Sequence, residues 1–254
     1  MKSIYVSSTL MWDADLEILF QMADFYEVGG IEFWAQHIMT KKYDPAKIKT
    51  LSQHYGLTVV IHSVSWDLNF ASINTGIREA SIREIIGSIE LAEKTGAAEV
   101  TVHPPRLTIP GDEEGCVERA RDGVKRLYGV AEEKGISLSL EIMENIPKEI
   151  FTTPEKVQCL DCGLKSIKYT LDVAHCDDAH VLEMYLQAKG ISKIHMSNRQ
   201  GKKLHTPLAR GDYDFSILMP KLLKKNVPLV VEGFERGSDY SIFQENLNYI
   251  KGIV

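Results

Sequence analysis

The chain has 254 residues, 44% hydrophobic and 25% charged, with 18 Gly and 9 Pro, the proportions of an ordinary globular protein with ample material for a core. Its formal net charge of −6 argues against an extended nucleic-acid-binding face, which needs a basic surface to meet many phosphates, although a local basic patch stays compatible. No run approaches the ~18 apolar residues of a membrane span, Met1 to Leu10 lacks the apolar core of a leader, and Cys116, Cys159, Cys162 and Cys176 are too few and too irregular for a disulfide framework. A soluble, cytoplasmic protein with reduced thiols and no membrane partner is expected.

Taken in chain order, short β-rich runs fall at Ser3 to Ser7, Gly30 to Trp34, Leu57 to His62, Glu99 to His103, Ile136 to Glu141, Lys168 to Asp172, Ile191 to Met196 and Pro228 to Glu232. Each is a handful of Val, Ile, Leu, Tyr or Thr, as suits buried parallel strands. Helical patterns lie between them. Asp44-Pro45 and Thr153-Pro154 set a capping side chain before a first-turn proline. Gly29, Gly56, Gly96, Gly135, Gly163 and Gly190 each stand between a helical run and a strand, where a residue able to take positive φ closes the helix.

No linker, low-complexity tract or sequence repeat divides the chain, so residues 1–254 are expected to form one domain. Strand and helix alternating eight times over this length predict an α/β fold, a single (β/α)8 TIM barrel. An open doubly wound sheet is the competing arrangement. It is disfavoured because no Gly-x-Gly-x-x-Gly follows the first strand and because polar residues recur at many strand ends.

Those strand ends carry the chemistry. His62 closes the third strand, His103 the fourth, Glu141 the fifth and Asp172 the sixth, while His195 lies near the end of the seventh and Glu232 closes the eighth. Residues two apart on a strand share a face, so Thr101 and His103, Ser139 and Glu141, and Thr170 and Asp172 are expected to point into the barrel, with Val102, Leu138, Leu140 and Leu171 toward the helices. Carboxylates and imidazoles converging at one mouth need a counter-charge, because several buried carboxylates repel. A divalent cation supplies it, and mixed imidazole and carboxylate ligands suit Zn, Mn, Fe or Co better than Ca.

Further groups accompany this ring. His175 follows Asp172 by three residues, and the long seventh loop holds Arg199, Lys202, Lys203, His205 and Arg210, cations suited to a phosphate or another anionic group. Trp12, Trp34 and Trp66 fall at or just after the first three strands, where they either wall a sugar pocket or pack structurally.

The segments VVIHSVSWDLNFAS, EVTVHPPR, LSLEIMEN, YTLDVAHC, KIHMSN, KKLHTPLARGDYDF and VVEGFERG, in this order, resemble the xylose isomerase-like TIM barrel superfamily over essentially the whole chain. That superfamily includes sugar and sugar-phosphate isomerases and epimerases and the type IV apurinic endonucleases. The resemblance implies that Glu141, Asp172, His195 and Glu232 match the metal-holding tetrad of the epimerase branch, with Glu144 as the alternative on the fifth strand. It also implies that His62, His103, His175 and His205 match the histidines with which the endonuclease branch holds three zinc ions. Two departures from the endonuclease pattern stand out: Lys203 replaces an Asp, and Ala209-Arg210-Gly211 replaces a Gly-x-Gly.

The expectation is therefore a metal-dependent isomerase or epimerase, with Zn or Mn as cofactor and a sugar or sugar phosphate as substrate. Glu141 and Glu232 are expected to be its acid and base, His175 to bond a substrate oxygen, and Arg199 or Lys203, with Arg210, to hold an anionic group. A zinc phosphodiesterase acting on abasic DNA is the alternative, and the only reading with a nucleic-acid partner. A non-catalytic sugar- or metal-binding protein is a third. Self-association into a homo-oligomer is compatible with all three.

Overall fold

In the computed structural model, which describes residues 1–164 and 167–254, the chain forms a closed eight-stranded parallel barrel with interleaved helices. Strand β1 spans Ile4–Ser7, and a 3-10 turn over Ser8–Met11 leads to helix α1 (Leu16–Phe25). Then follow β2 (Gly30–Trp34), α2 (Ala35–Lys41), α3 (Pro45–Tyr55), β3 (Thr58–His62), α4 (Thr75–Thr95), β4 (Glu99–Val102), α5 (Glu113–Glu133), β5 (Ser137–Ile142), α6 (Pro154–Gln158), β6 (Lys168–Asp172), α7 (Ala179–Tyr185) and β7 (Ile191–Met196). A small antiparallel pair, β8 (Asn198–Gln200) and β9 (Lys203–Thr206), stands in the loop after β7, before α8 (Phe215–Leu223), β10 (Leu229–Val231) and α9 (Ser241–Ile253). The barrel runs in sequence order and closes where β1 pairs with β10, Tyr5 beside Val230. Among the described residues no helix is long and apolar enough to cross a membrane.

Side-chain alternation builds two cores. Ile31, Phe33, Ile61, Val100, Val102, Leu138, Leu140, Leu171 and Ile194 are buried against the helices and belong to the main hydrophobic cluster. The opposite faces fill the barrel bore. One arc of the bore is apolar, made of Tyr5, Val60 and Val230, and Gly30 makes room for it, since a Cβ there would meet the Tyr5 ring at 2.7 Å. The other arc is polar: Ser139 shares hydrogen bonds with Thr170 and Ser192, and Thr101 donates to Glu32.

The helix ends follow the side chains that cap them. Asp44 accepts from the Ala46 N–H and Thr153 from the Lys156 N–H, satisfying first-turn donors. Gly56, Gly96, Gly135, Gly163 and Gly190 take positive φ as expected. Gly29 does not. The left-handed residue of that join is Glu27, at φ 56, and Gly29 is needed instead because a Cβ would fall 1.8 Å from the Lys2 carbonyl oxygen. Strand bounds differ by a residue or two from those expected, which leaves His103 and Glu232 just beyond β4 and β10.

Candidate metal centre

His62, His103, Glu141, Asp172, His195 and Glu232 come from six different strands or strand ends, and all converge at one mouth of the barrel. Their ligand atoms, with those of His175 and His205, fall into three groups, each with its atoms within 4.8 Å of one another: His62, His103 and Glu141; Asp172, His175 and His205; and Glu141, Asp172, His195 and Glu232. In the tetrad, His195 Nδ1 lies 3.1 Å from Glu232 Oε2 and 3.6 Å from Glu141 Oε1. His62 Nε2 and His103 Nε2 lie 3.4 and 3.3 Å from Glu141 Oε2.

Two of the rings are oriented from behind. His62 Nδ1 is 2.9 Å from the Ser63 carbonyl and His175 Nδ1 is 2.9 Å from that of Ile142. A carbonyl only accepts, so each Nδ1 carries a proton and each Nε2 is turned toward the centre. Trp34 lies flat on His62, ring centroids 3.9 Å apart and planes at 7°, and holds that imidazole in place.

The electrostatics describe a crowded set of charges. Burial and the neighbouring Glu232 and Glu141 carboxylates raise Asp172 to about 6, although His175 draws it down. Burial opposes charge on His175, yet Asp172, Glu141 and Glu144 raise it to about 9. Glu141 and Glu232 are held well below the usual carboxylate range despite burial, Glu141 by His103 and His195 and Glu232 by His195.

Buried polar atoms without a partner test whether a cation fits. Glu141 Oε2, Asp172 Oδ2, Glu232 Oε2 and His195 Nδ1 are buried and form no hydrogen bond. Each such orphan costs about 1–3 kcal/mol, so a cluster of them facing one point fits an ion that ligates them all. The donor set of oxygens and imidazole nitrogens is that of a divalent transition metal.

Above these residues opens a cavity of about 260 Å³, lined by Glu141, Glu144, His175, His205 and Glu232 and walled by Trp34, Ser65, Trp66, His103, Arg106 and Phe234. Trp34 Nε1, Ser65 Oγ and Glu144 Oε2 are buried there without hydrogen-bond partners. Glu144 lies beside the tetrad, its Oε2 3.6 Å from His175 Nε2, whereas Glu141 is shared by two of the donor groups.

The loop cations stand elsewhere. Arg199 spends its guanidinium on the carbonyls of Ala174, Cys176 and Gly201, Arg210 pairs with Glu245, and Lys202 and Lys203 are exposed on the turn and first residue of β9. None of the four lines the cavity. Trp34 and Trp66 do line it, whereas Trp12 is packed behind them, stacked on His37 with centroids 4.5 Å apart. The guanidinium at the mouth is that of Arg106, from the loop after β4, whose Nε stands 2.8 Å from Glu149. Burial raises the Glu149 carboxyl to about 7 in spite of that partner.

Glu32, Lys193, Arg106 and Phe234 were not among the sequence candidates. A signal existed for the first two: Glu32 shares parity with Gly30 and Trp34, and Lys193 with His195, so strand alternation points both inward.

Comparison with known proteins agrees with this fold. Residues 21–253 match the family model described as xylose isomerase-like TIM barrel. An uncharacterized protein of Methanocaldococcus jannaschii is 28% identical over 232 residues, spanning 88% of this chain and 84% of its own. A D-tagatose 3-epimerase-like protein superposes with a TM-score of 0.81 at 21% identity, covering 100% of this chain and 98% of its own. The D-psicose 3-epimerase of Clostridium cellulolyticum H10 superposes with a TM-score of 0.78 at 17% identity, with 100% and 98% covered.

Proposed function

The chain belongs to the xylose isomerase-like TIM barrel family, and we propose that it is a divalent-metal-dependent isomerase or epimerase acting on a sugar, sugar phosphate or related small polyol. The observation that carries this reading is the position of two carboxylates, Glu141 and Glu232, which line one cavity and face the same imidazole, His195. Proton transfer at a carbon next to a carbonyl needs a base on one side of the substrate and an acid on the other. The superposition on sugar epimerases is in keeping with that chemistry.

Glu141, Asp172, His195 and Glu232 would hold the metal, with Zn or Mn the ions best matched to the donors. When bound, such an ion supplies a Lewis acid that polarises adjacent carbonyl and hydroxyl oxygens of a substrate. The remaining steps belong to the chain. One of the two glutamates removes the carbon-bound proton and the other returns a proton, to the opposite face in an epimerisation. His175, fixed through Nδ1, offers Nε2 to a substrate oxygen. Trp34 Nε1, Ser65 Oγ and Glu144 Oε2, each lacking a partner, suit the hydroxyls of a polyol. Trp66 and Phe234 line the mouth and limit the water that reaches the reacting carbon. Arg106 provides a guanidinium at the cavity wall, and a phosphate or carboxylate on the substrate would meet it.

Incubation with a panel of ketoses and ketose phosphates in heavy water tests the proposal. Deuterium is expected at the carbon beside the carbonyl, and Glu232→Gln should slow its incorporation by at least about 100-fold. Metal-loaded protein that exchanges no proton with any of the panel would refute it.

A zinc phosphodiesterase is the second reading. It is favoured by the two histidine-bearing groups, His62–His103–Glu141 and Asp172–His175–His205, which adjoin the tetrad and could bind further ions around a phosphodiester. The net charge of −6 and the cation at Lys203 weigh against it. Nicking of abasic duplex DNA by protein carrying about three zinc ions would establish it in place of the first.

A further inference from the structure

Beneath the cavity the barrel bore holds a set of charges that the proposed reaction does not use. Lys193 is 1% exposed and Glu32 fully buried. Lys193 Nζ lies 2.8 Å from Glu99 Oε1 and 3.4 Å from Glu32 Oε1, and Thr101 Oγ1 donates to that same Glu32 oxygen at 3.0 Å. The second oxygen, Glu32 Oε2, stands 2.9 Å from His195 Nε2, on the edge of the ring opposite the nitrogen that faces Glu232 and Glu141.

A buried lysine and glutamate are poor instruments of stability, because apolar side chains of similar size hold a core at least as well without the desolvation cost. Tyr5, Val60 and Val230 fill the neighbouring arc of the same bore in that way. The charged arc therefore calls for another explanation, and at the mouth it reaches His195. An imidazole ligates through a nitrogen only while the proton sits on the other one, and a carboxylate behind a ligating histidine fixes that arrangement.

We propose that Glu32 is a positioning residue for the metal centre: it receives the Nε2–H of His195, leaving the Nδ1 lone pair toward Glu141 and Glu232, while Lys193, anchored by Glu99, holds the Glu32 carboxylate in place. This rests on the reading of the tetrad as a metal site. Glu32 Oε2 and His195 Nε2 are at hydrogen-bonding distance without being aligned, and neither has another hydrogen-bond partner among the described residues.

The test measures metal rather than turnover. Co²⁺ affinity is determined by calorimetry for the unmodified protein and for Glu32→Gln, together with the visible spectrum of the Co²⁺-loaded forms and the ¹⁵N resonances of His195 in the Zn²⁺-loaded forms. Loss of Co²⁺ affinity by about 10- to 100-fold, a changed spectrum, and loss of the Nε2–H signal are expected. A variant that melts lower but binds Co²⁺ as tightly as the parent, with the same spectrum, would overturn the positioning role and leave the metal site standing. Failure of the parent itself to bind Co²⁺, Mn²⁺ or Zn²⁺ would overturn the metal reading and this role with it. Should Glu32→Gln not fold, Glu32→Asp keeps the charge but draws it back by one methylene, and unchanged Co²⁺ affinity in that variant is equally decisive against the role.

Discussion

His62 and His103 face each other through their Nε2 atoms at a distance of 3.1 Å. With the Nδ1 of His62 committed to the Ser63 carbonyl, the His62 Nε2 is an acceptor, and His103 fills the gap only while its own Nε2 is protonated. Glu141 Oε2 stands beside both. A cation would replace that proton with ligand bonds to all three side chains. Elemental analysis of protein loaded with zinc and then desalted should thus find more than one ion per chain, and His103→Asn should remove about one. Equal zinc content in parent and variant would show that this group binds nothing.

Removing the cation should also cost stability. Glu141, Asp172 and Glu232 are buried together, and without a counter-ion their repulsion and their unpartnered oxygens oppose folding. An ion present at about a hundred times its dissociation constant adds about 2.7 kcal/mol, so a chelator should lower Tm by roughly 5 to 10 °C for a chain of this size. Differential scanning calorimetry with and without EDTA, followed by re-addition of Mn²⁺ or Zn²⁺, checks both the loss and its reversal.

Arg106 contributes a guanidinium to the cavity wall, and it carries a prediction about substrate choice. If the substrate bears a phosphate or carboxylate, Arg106→Gln should reduce kcat/KM for it by about 10- to 100-fold, the effect of about 1.5–3 kcal/mol for a hydrogen bond to a charged group. An uncharged sugar of the same skeleton should lose little. A uniform drop for both would assign Arg106 to the architecture of the mouth, through its partner Glu149.

His37 supplies a pH dependence independent of the metal donors. Its ring is fully buried, with Nε2 2.9 Å from the Trp12 carbonyl, and burial lowers it to about 4 from its ordinary 6.5. Between these values the unfolded chain binds the proton and the folded chain does not, so stability rises with pH through this window. The contribution is fully present above about pH 6.5 and is lost as pH falls toward 4, on the order of 3 kcal/mol in all. Urea unfolding at pH 5 and pH 7, with metal held constant, should show a shallower pH slope in His37→Asn than in the parent. Identical slopes would mean that the ring titrates freely.

The fold and most of the mouth were legible in the sequence because both rest on local rules. Parallel strands buried on two faces leave short β-rich runs, and alternation along β4, β5 and β6 separates Thr101, Glu141 and Asp172 from their helix-facing neighbours. The same rule reaches Glu32 in Gly-Ile-Glu-Phe-Trp, but a lone glutamate inside a strand, not at its end, does not announce a site. In β7 the register slips opposite Tyr169 and Thr170, and both Ser192 and Lys193 come to contact Glu99. Arg106 and Phe234 lie on loops, where no period orders the side chains, and only closure of the barrel sets them on one cavity. For Arg199 the obstacle is competition: its charge suits an anion, but three backbone carbonyls claim it first.

Glu141 and Asp172 each serve in two of the three donor groups. A carboxylate has only two oxygens, so ions held in neighbouring groups would bridge across one residue or contend for it, and filling one position would alter the next. Binding isotherms for Zn²⁺ or Mn²⁺ should accordingly depart from the hyperbola of separate, equivalent sites. The departure carries information in either direction: steepening marks bridging that recruits a second ion, and flattening marks an early arrival that deprives its neighbour.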